Sequence, residues 1–337
     1  MQRNKISTKF TNLTIVAALL SMANINLLAD EANATHTHQG SSHSHDVISQ
    51  TQTLQIDITN QIFSNRNPDC AAFDETYSSQ VLDVNYARSF EGMTRVIAAT
   101  DTCVIESNNI PNHDFNDAER PFANQVAEVE KNFILERMPD TFASEVTYVS
   151  QSLINGIMLN GVVIDILSAG CWDDVRGDNV AIGCSDTADW LIDPVGSGFF
   201  DEDTHNAHSQ GDGTYHYHGN PNAMFDDNPG PNGSPIIGFA ADGYPIYGSY
   251  FLDDDTGEVR KAVSGYRLKR GVRPSGPGGR YDGFYIQDWR WTRAGDLDEC
   301  NGMTTDGQYG YYVTDSYPWL MKCFKGEPNN SFYKRAP

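Results

Sequence analysis

The residues best placed by type and spacing to do chemistry lie between Asp203 and Gly219. Within that stretch GTYHYHG (Gly213–Gly219) sets two tyrosines and two histidines in alternation between glycines. A β-strand points successive side chains to opposite faces, so His216 and His218 share one face and Tyr215 and Tyr217 the other. On a helix the two histidines would diverge. Tyrosine favours strands and the flanking glycines are turn signals, so a strand is expected. Just upstream, DTHNAHSQGDG (Asp203–Gly213) adds His205 and His208. Two imidazoles on one strand face, with one or two from the adjoining segment, can close around an ion at about 2.0–2.1 Å per nitrogen. Imidazole suits copper and zinc, and copper(II) binds most strongly in the divalent series. Three histidines leave a coordination position open to water, substrate or dioxygen, which a metal-dependent enzyme requires. Asp203 and Asp242 are the carboxylates that could serve as acid, base or orienting acceptor for a ligating imidazole. The competing reading is a metal-free extracellular structural or interaction domain whose histidines only hydrogen-bond in a polar core. In that reading, as in the others, Tyr215 and Tyr217 pack on the core side with their hydroxyls partnered.

Strands and turns must hold these residues. Short apolar runs, Gly161–Leu167 and Pro235–Ala240, are separated by stretches rich in the chain's 29 glycines and 15 prolines. That pattern predicts a mainly β fold, with α+β as the alternative: one compact domain with long Gly/Pro-rich loops, few helices and disulfide staples. No fixed-period repeat signals a solenoid or propeller. Thr53–Ile58 alternates and reads as a half-buried strand. The Asp-Gly of AADGYPIYG, Asp242–Gly243, is a hairpin signal. Phe122, Val126, Val129 and Phe133 recur at three- and four-residue spacing and predict a helix over Ala118–Met138, closed by Pro139. RPSGPGGRYDG (Arg273–Gly283) reads as a structural loop, with an anion site at Arg273 and Arg280 as the lesser option because no helix follows it. Asp253–Glu258 echoes a calcium loop, but its glycine comes one position early and Ser264 stands where the twelfth-position acid belongs, so a hairpin turn is expected. Serine-hydrolase, zincin and nucleotide-binding motifs are missing from the sequence.

Residues 1–34 read as a signal peptide: Arg3, Lys5 and Lys9, the apolar run Leu13–Met22, and small residues ending at Ala34. The run is too short to span a membrane. Residues 35–53 form a polar, low-complexity leader, expected to be disordered, whose His36, His38, His43 and His45 could chelate loosely. Residues 54–337 are the globular part. All six cysteines fall there, without a CxxC pair, so disulfides in an oxidising compartment are expected rather than zinc thiolates. Six cysteines allow fifteen connectivities. Short loops close most easily, which favours Cys70–Cys103, Cys171–Cys184 and Cys300–Cys323. The net charge of −22 makes nucleic acid and anionic membranes poor partners and favours cations diffusely. An exported protein, periplasmic or extracellular, with a metal ion as partner and no membrane insertion, fits all of this.

The chain also resembles the YHYH-domain family of secreted, mostly bacterial proteins. The resemblance is carried by NNIPNH (Asn108–His113), NGVVID (Asn160–Asp165), NAHSQGDGTYHYHG (Asn206–Gly219), IIGFAADGYPIYG (Ile236–Gly248), RPSGPGGRYDG, LDECNG (Leu297–Gly302) and a closing YPW with Cys323. It implies a single domain with its core over about residues 70–335. It also adds His113 to His208, His216 and His218 as histidines in family-matching positions, whereas the candidacy of His205 rests on proximity. It further implies that Cys300 and Cys323 are a pair. The sequence departs from the pattern at Gln308–Tyr312, where Gly310 stands in a place that would suit a histidine. The resemblance names a motif and delivers no reaction.

Overall fold

In its first sheet the chain shows the period-two burial that makes a strand. The protein's structure, a computed structural model, describes residues 54–139 and 141–334. The signal peptide and the histidine-containing leader expected at 1–34 and 35–53 lie outside the described residues. Five strands, β1 (Gln55–Asp57), β2 (Thr76–Asp83), β3 (Arg88–Ala98), β4 (Thr102–Ser107) and β5 (Lys131–Glu136), follow one another in sheet order. β1 runs parallel to β2, and the rest pair antiparallel. In β3, Phe90, Gly92, Thr94 and Val96 turn inward while the residues between them face out. β1 occupies the segment expected to be half-buried, but its three residues are exposed and only Ile58, just beyond, is buried.

The helix expected over Ala118–Met138 does not form. Residues 118–130 are irregular and Lys131–Glu136 is β5, with Phe133 and Leu135 buried and Asn132 and Ile134 outside. Phe122 and Val126 are buried as their spacing required, but from an irregular backbone. That backbone finds its partners far away: Phe122 N–H donates to Asn116 Oδ1 (2.9 Å), Ala127 N–H to the Gly213 carbonyl (3.0 Å) and Val129 N–H to the Asn108 carbonyl (3.0 Å). With those donors satisfied by other segments, the i→i−4 ladder has no advantage. Among the described residues the only α-helix is the single turn Pro194–Ser197.

The second sheet has eight short strands in the order Ala207–Ser209, Tyr215–Tyr217, Val163–Ile164, Gly156–Met158, Ile236–Ala240, Pro245–Tyr247, Gln308–Tyr312 and Gly302–Thr305. The second and third pair in parallel, as do the sixth and seventh; the other neighbours are antiparallel. Strands inside it are buried on both faces: every residue of Ile236–Ala240, and of Tyr215–Tyr217 next to the edge, is inside. Asp242 and Gly243, the latter at φ +83°, make the hairpin turn that their sequence announced. Asp253–Glu258 closes a hairpin too, with Asp253 taking a hydrogen bond from Arg260 at 2.7 Å. In the RPSGPGGRYDG loop Arg273 is buried and committed: its Nε donates to Asp288 Oδ1 (2.8 Å), its Nη1 to the Gly278 carbonyl (2.9 Å), and its Nη2 to Asp288 and Asp282. That guanidinium braces a loop, leaving no free fork for an anion. The disulfides are Cys70–Cys103, Cys171–Cys184 and Cys300–Cys323. Among the described residues no helix is long and apolar enough to cross a membrane.

Candidate metal centre

A hairpin at the edge of the second sheet builds the site. In it His208 lies directly opposite His216, Ala207 opposite Tyr217 and Ser209 opposite Tyr215. Directly opposed residues project on the same face with Cβ atoms about 4.5–5.5 Å apart, so His208 and His216 are neighbours and His218, two residues on, joins them. The connecting turn fixes that register. Thr214 N–H donates to Asp212 Oδ1 (2.9 Å) and Gln210 N–H to the Thr214 carbonyl (2.9 Å). Gly213 turns at φ +86° against Ala127, where a Cβ would come within 2.6 Å of the Ala127 Cβ.

The three imidazoles converge through one atom each. Nε2 of His216 is 3.0 Å from Nε2 of His218, which is 3.1 Å from Nε2 of His208. Nδ1 of His216 lies 3.3 Å from the Thr214 carbonyl and Nδ1 of His218 lies 3.2 Å from the Ile166 carbonyl. A carbonyl can only accept, so a proton on each Nδ1 would satisfy both of these contacts and turn both Nε2 lone pairs toward the neighbouring rings. His216 and His218 are 2% exposed and His208 is half-buried. Burial pushes His208 down to about 4 and holds His216 and His218 well below the ordinary histidine range, so all three are neutral at pH 7. His208, His216 and His218 could together hold a metal ion. The one other such grouping among the described residues, Asp69 with Cys70 and Cys103, has both sulfurs in a disulfide.

The opposite face of the same strand carries a different network. Tyr217 hydroxyl meets His113 Nε2 at 2.5 Å and accepts from Asn160 Nδ2 at 2.9 Å, while His113 Nδ1 lies 2.7 Å from the Asp114 carbonyl. Tyr215 hydroxyl donates to Asp203 Oδ2 at 2.8 Å. Asn109, in the Asn108–His113 block, donates to the Tyr215 carbonyl (2.7 Å) and accepts from Val163 N–H (3.1 Å), tying two neighbouring strands. The His205 ring packs against that of His113 with centroids 3.9 Å apart and planes tilted by 43°. His113 and His205 therefore lie behind the strand and outside the converging group. Burial, and the charge His205 would carry, push His113 down to about 3, and burial raises Asp203 to about 7. Neither candidate carboxylate contacts a converging imidazole. Asp203 accepts from Tyr215 and from the backbone N–H groups of Asn116 and His205, and Asp242 accepts from Tyr311 hydroxyl (2.6 Å) and Gly326 N–H (2.9 Å). Gly310 is five strands from Tyr215–Tyr217, and a Cβ there would sit 2.5 Å from the Tyr247 ring. That strand has no room for a histidine and no route to the triad.

On the triad's own face the sequence reading passed over Asp165. Val163 is paired with His216 and Ile164 with Tyr217, so Asp165 falls beside His218. Its backbone N–H donates to the Tyr217 carbonyl at 3.1 Å. The carboxylate is buried, with Oδ2 taking Gln210 Nε2 (2.9 Å) and Lys334 Nζ (2.5 Å). The available signal was a lone acid closing the apolar run NGVVID, in strand alternation. A cavity of about 580 Å³ opens against His208, His216 and His218, with Asp165, Gln210 and Lys334 also in its wall.

The sequence model of the YHYH protein family matches residues 133–326, more than half of the chain and all three converging histidines. The chain belongs to the YHYH family. The matched YHYH region begins after the Asn108–His113 block and ends before Lys334, so Asn109, His113 and the lysine lie outside it, while Asn160, Asp203, His205 and the two tyrosines lie within. No curated protein and no solved structure matches the chain.

Proposed function

We propose that this YHYH protein is an exported metal-binding protein in which His208, His216 and His218 hold one transition-metal ion, copper or zinc. One observation supports the reading: Nε2 of His218 lies 3.0 Å from Nε2 of His216 and 3.1 Å from Nε2 of His208, and a proton on each Nδ1 facing its carbonyl would leave the Nε2 lone pairs of His216 and His218 facing each other. Lone pairs facing each other in a buried place repel unless a cation stands between them. Export is supported by three disulfides, which persist in oxidising compartments.

Metal analysis of protein purified without an affinity tag tests the proposal. About one ion per chain is expected, with a strong loss in the His216→Ala/His218→Ala variant. Equal metal content in both would remove these residues from the site. The adjoining cavity favours a second reading, a metal-dependent enzyme, because three protein ligands leave coordination open toward it. An ion open in that way exchanges water, which paramagnetic relaxation of water protons by copper-loaded protein would detect.

A further inference from the structure

The cavity beside the triad is polar at its inner end and apolar at its mouth. At the inner end Asp165 is 3% exposed, and while Oδ2 is held by Gln210 and Lys334, Oδ1 has no hydrogen-bond partner. A buried carboxylate oxygen without a donor is costly, and on a residue that lines a cavity it points to a donor brought by an occupant. Toward the mouth, Phe199 is 36% exposed and Ile182 79% exposed. Phe200 stands edge-on to His208 with centroids 6.0 Å apart, and edge-on to Phe199 at 5.2 Å. Aromatic edges and faces left open around a cavity favour a flat ring. The volume, about 580 Å³, is that of a pocket for a small organic molecule.

Each acid in the wall has a basic partner, one in the wall itself and one beside it. Asp165 is paired with Lys334, and Asp201 with Arg120 at 2.8 Å, so nothing there selects a strongly charged ligand. A hydroxyl is the neutral group that offers a proton to Asp165 and a lone pair to an ion at the imidazoles. We propose that this cavity binds a small phenolic molecule, its hydroxyl donating to Asp165 beside the three imidazoles and its ring lying against Phe199 and Phe200. Only the ion-bound form of this inference rests on the metal-binding reading.

Calorimetric titration with phenol and with toluene, in which a methyl group replaces the hydroxyl, tests it on full-length protein with and without zinc. The metal-free protein should bind one phenol per cavity and toluene about tenfold more weakly or worse, the usual cost of losing a hydrogen bond to a charged group. Asp165→Asn should erase most of that preference. Phe200→Leu should weaken both probes and leave their ratio unchanged. Equal affinity for the two probes, or no phenol binding in either form, overturns the inference. The wild-type comparison decides even where Asp165→Asn does not fold. If zinc is not taken up while phenol still binds with its preference over toluene, the metal reading fails and this one stands; if zinc loads and phenol binds neither form, the reverse holds.

Discussion

His216 and His113 stand on opposite faces of one hairpin strand's surroundings and have different jobs, which single substitutions should separate. His216→Ala is expected to reduce bound copper or zinc to below about a tenth of an ion per chain, while His113→Gln leaves metal content unchanged; elemental analysis of both variants checks this. His113 should instead set acid stability. Its folded value of about 3 lies below the ordinary 6.5, so the unfolded chain takes up a proton that the native state refuses. The contribution is fully present above pH 6.5 and is lost as pH falls toward 3. Between pH 7.5 and 5 the gap in unfolding free energy between wild type and His113→Gln should narrow by about 2 kcal/mol, read from urea midpoints. Asp203, raised to about 7, has the opposite sign: its contribution is present below the ordinary carboxylate value and fades as pH rises through 7. Strand alternation made the pairing of His216 with His218, and of the two tyrosines, legible from the sequence. The face that His113 takes was not legible, because it depends on Asn109 and Asn160 bringing a distant loop against Tyr215 and Tyr217.

At the scale of elements, the site depends on the register of the hairpin Ala207–Ser209 and Tyr215–Tyr217. A slip of one residue would turn His208 to the tyrosine face. Gly213 guards against that slip, so Gly213→Ala, which adds a Cβ at φ +86° against Ala127, should destabilise the protein by about 1–3 kcal/mol and weaken metal binding. Gly211→Ala, two residues away with nothing within 4 Å, is the control. Thermal melting with and without metal compares them. The same turn accounts for the misread helix, since Ala127 N–H is bound to the Gly213 carbonyl. Spacing of apolar residues reports which side chains are buried, and Phe122, Val126 and Phe133 are; it does not report where the backbone finds its partners.

For the whole molecule, composition and turn residues made a mainly β fold with few helices legible. The order of the eight-stranded sheet was not, because its parallel neighbours are joined by long-range pairing that no local pattern encodes. Cys171 and Cys184, 13 residues apart, close the loop that contributes Ala181 and Ile182 to the cavity wall. Replacing both with serine should cost about 3 kcal/mol, measured as a shift in the urea midpoint. Saturating the protein with its ion should stabilise it by about 2.7 kcal/mol at a hundredfold excess over the dissociation constant, and a strong chelator should remove that increment from the melting curve.

All three converging imidazoles come from one hairpin, and that locality bears on the order of events as the chain folds. A hairpin forms in about 1–10 μs, far ahead of sheets that depend on distant segments. An ion present from the start would meet its ligands before the parallel strands have docked, and would then act as a seed for the sheet's edge. Refolding in the presence of zinc or copper should accordingly be faster than refolding followed by metal addition, with the difference abolished in His216→Ala.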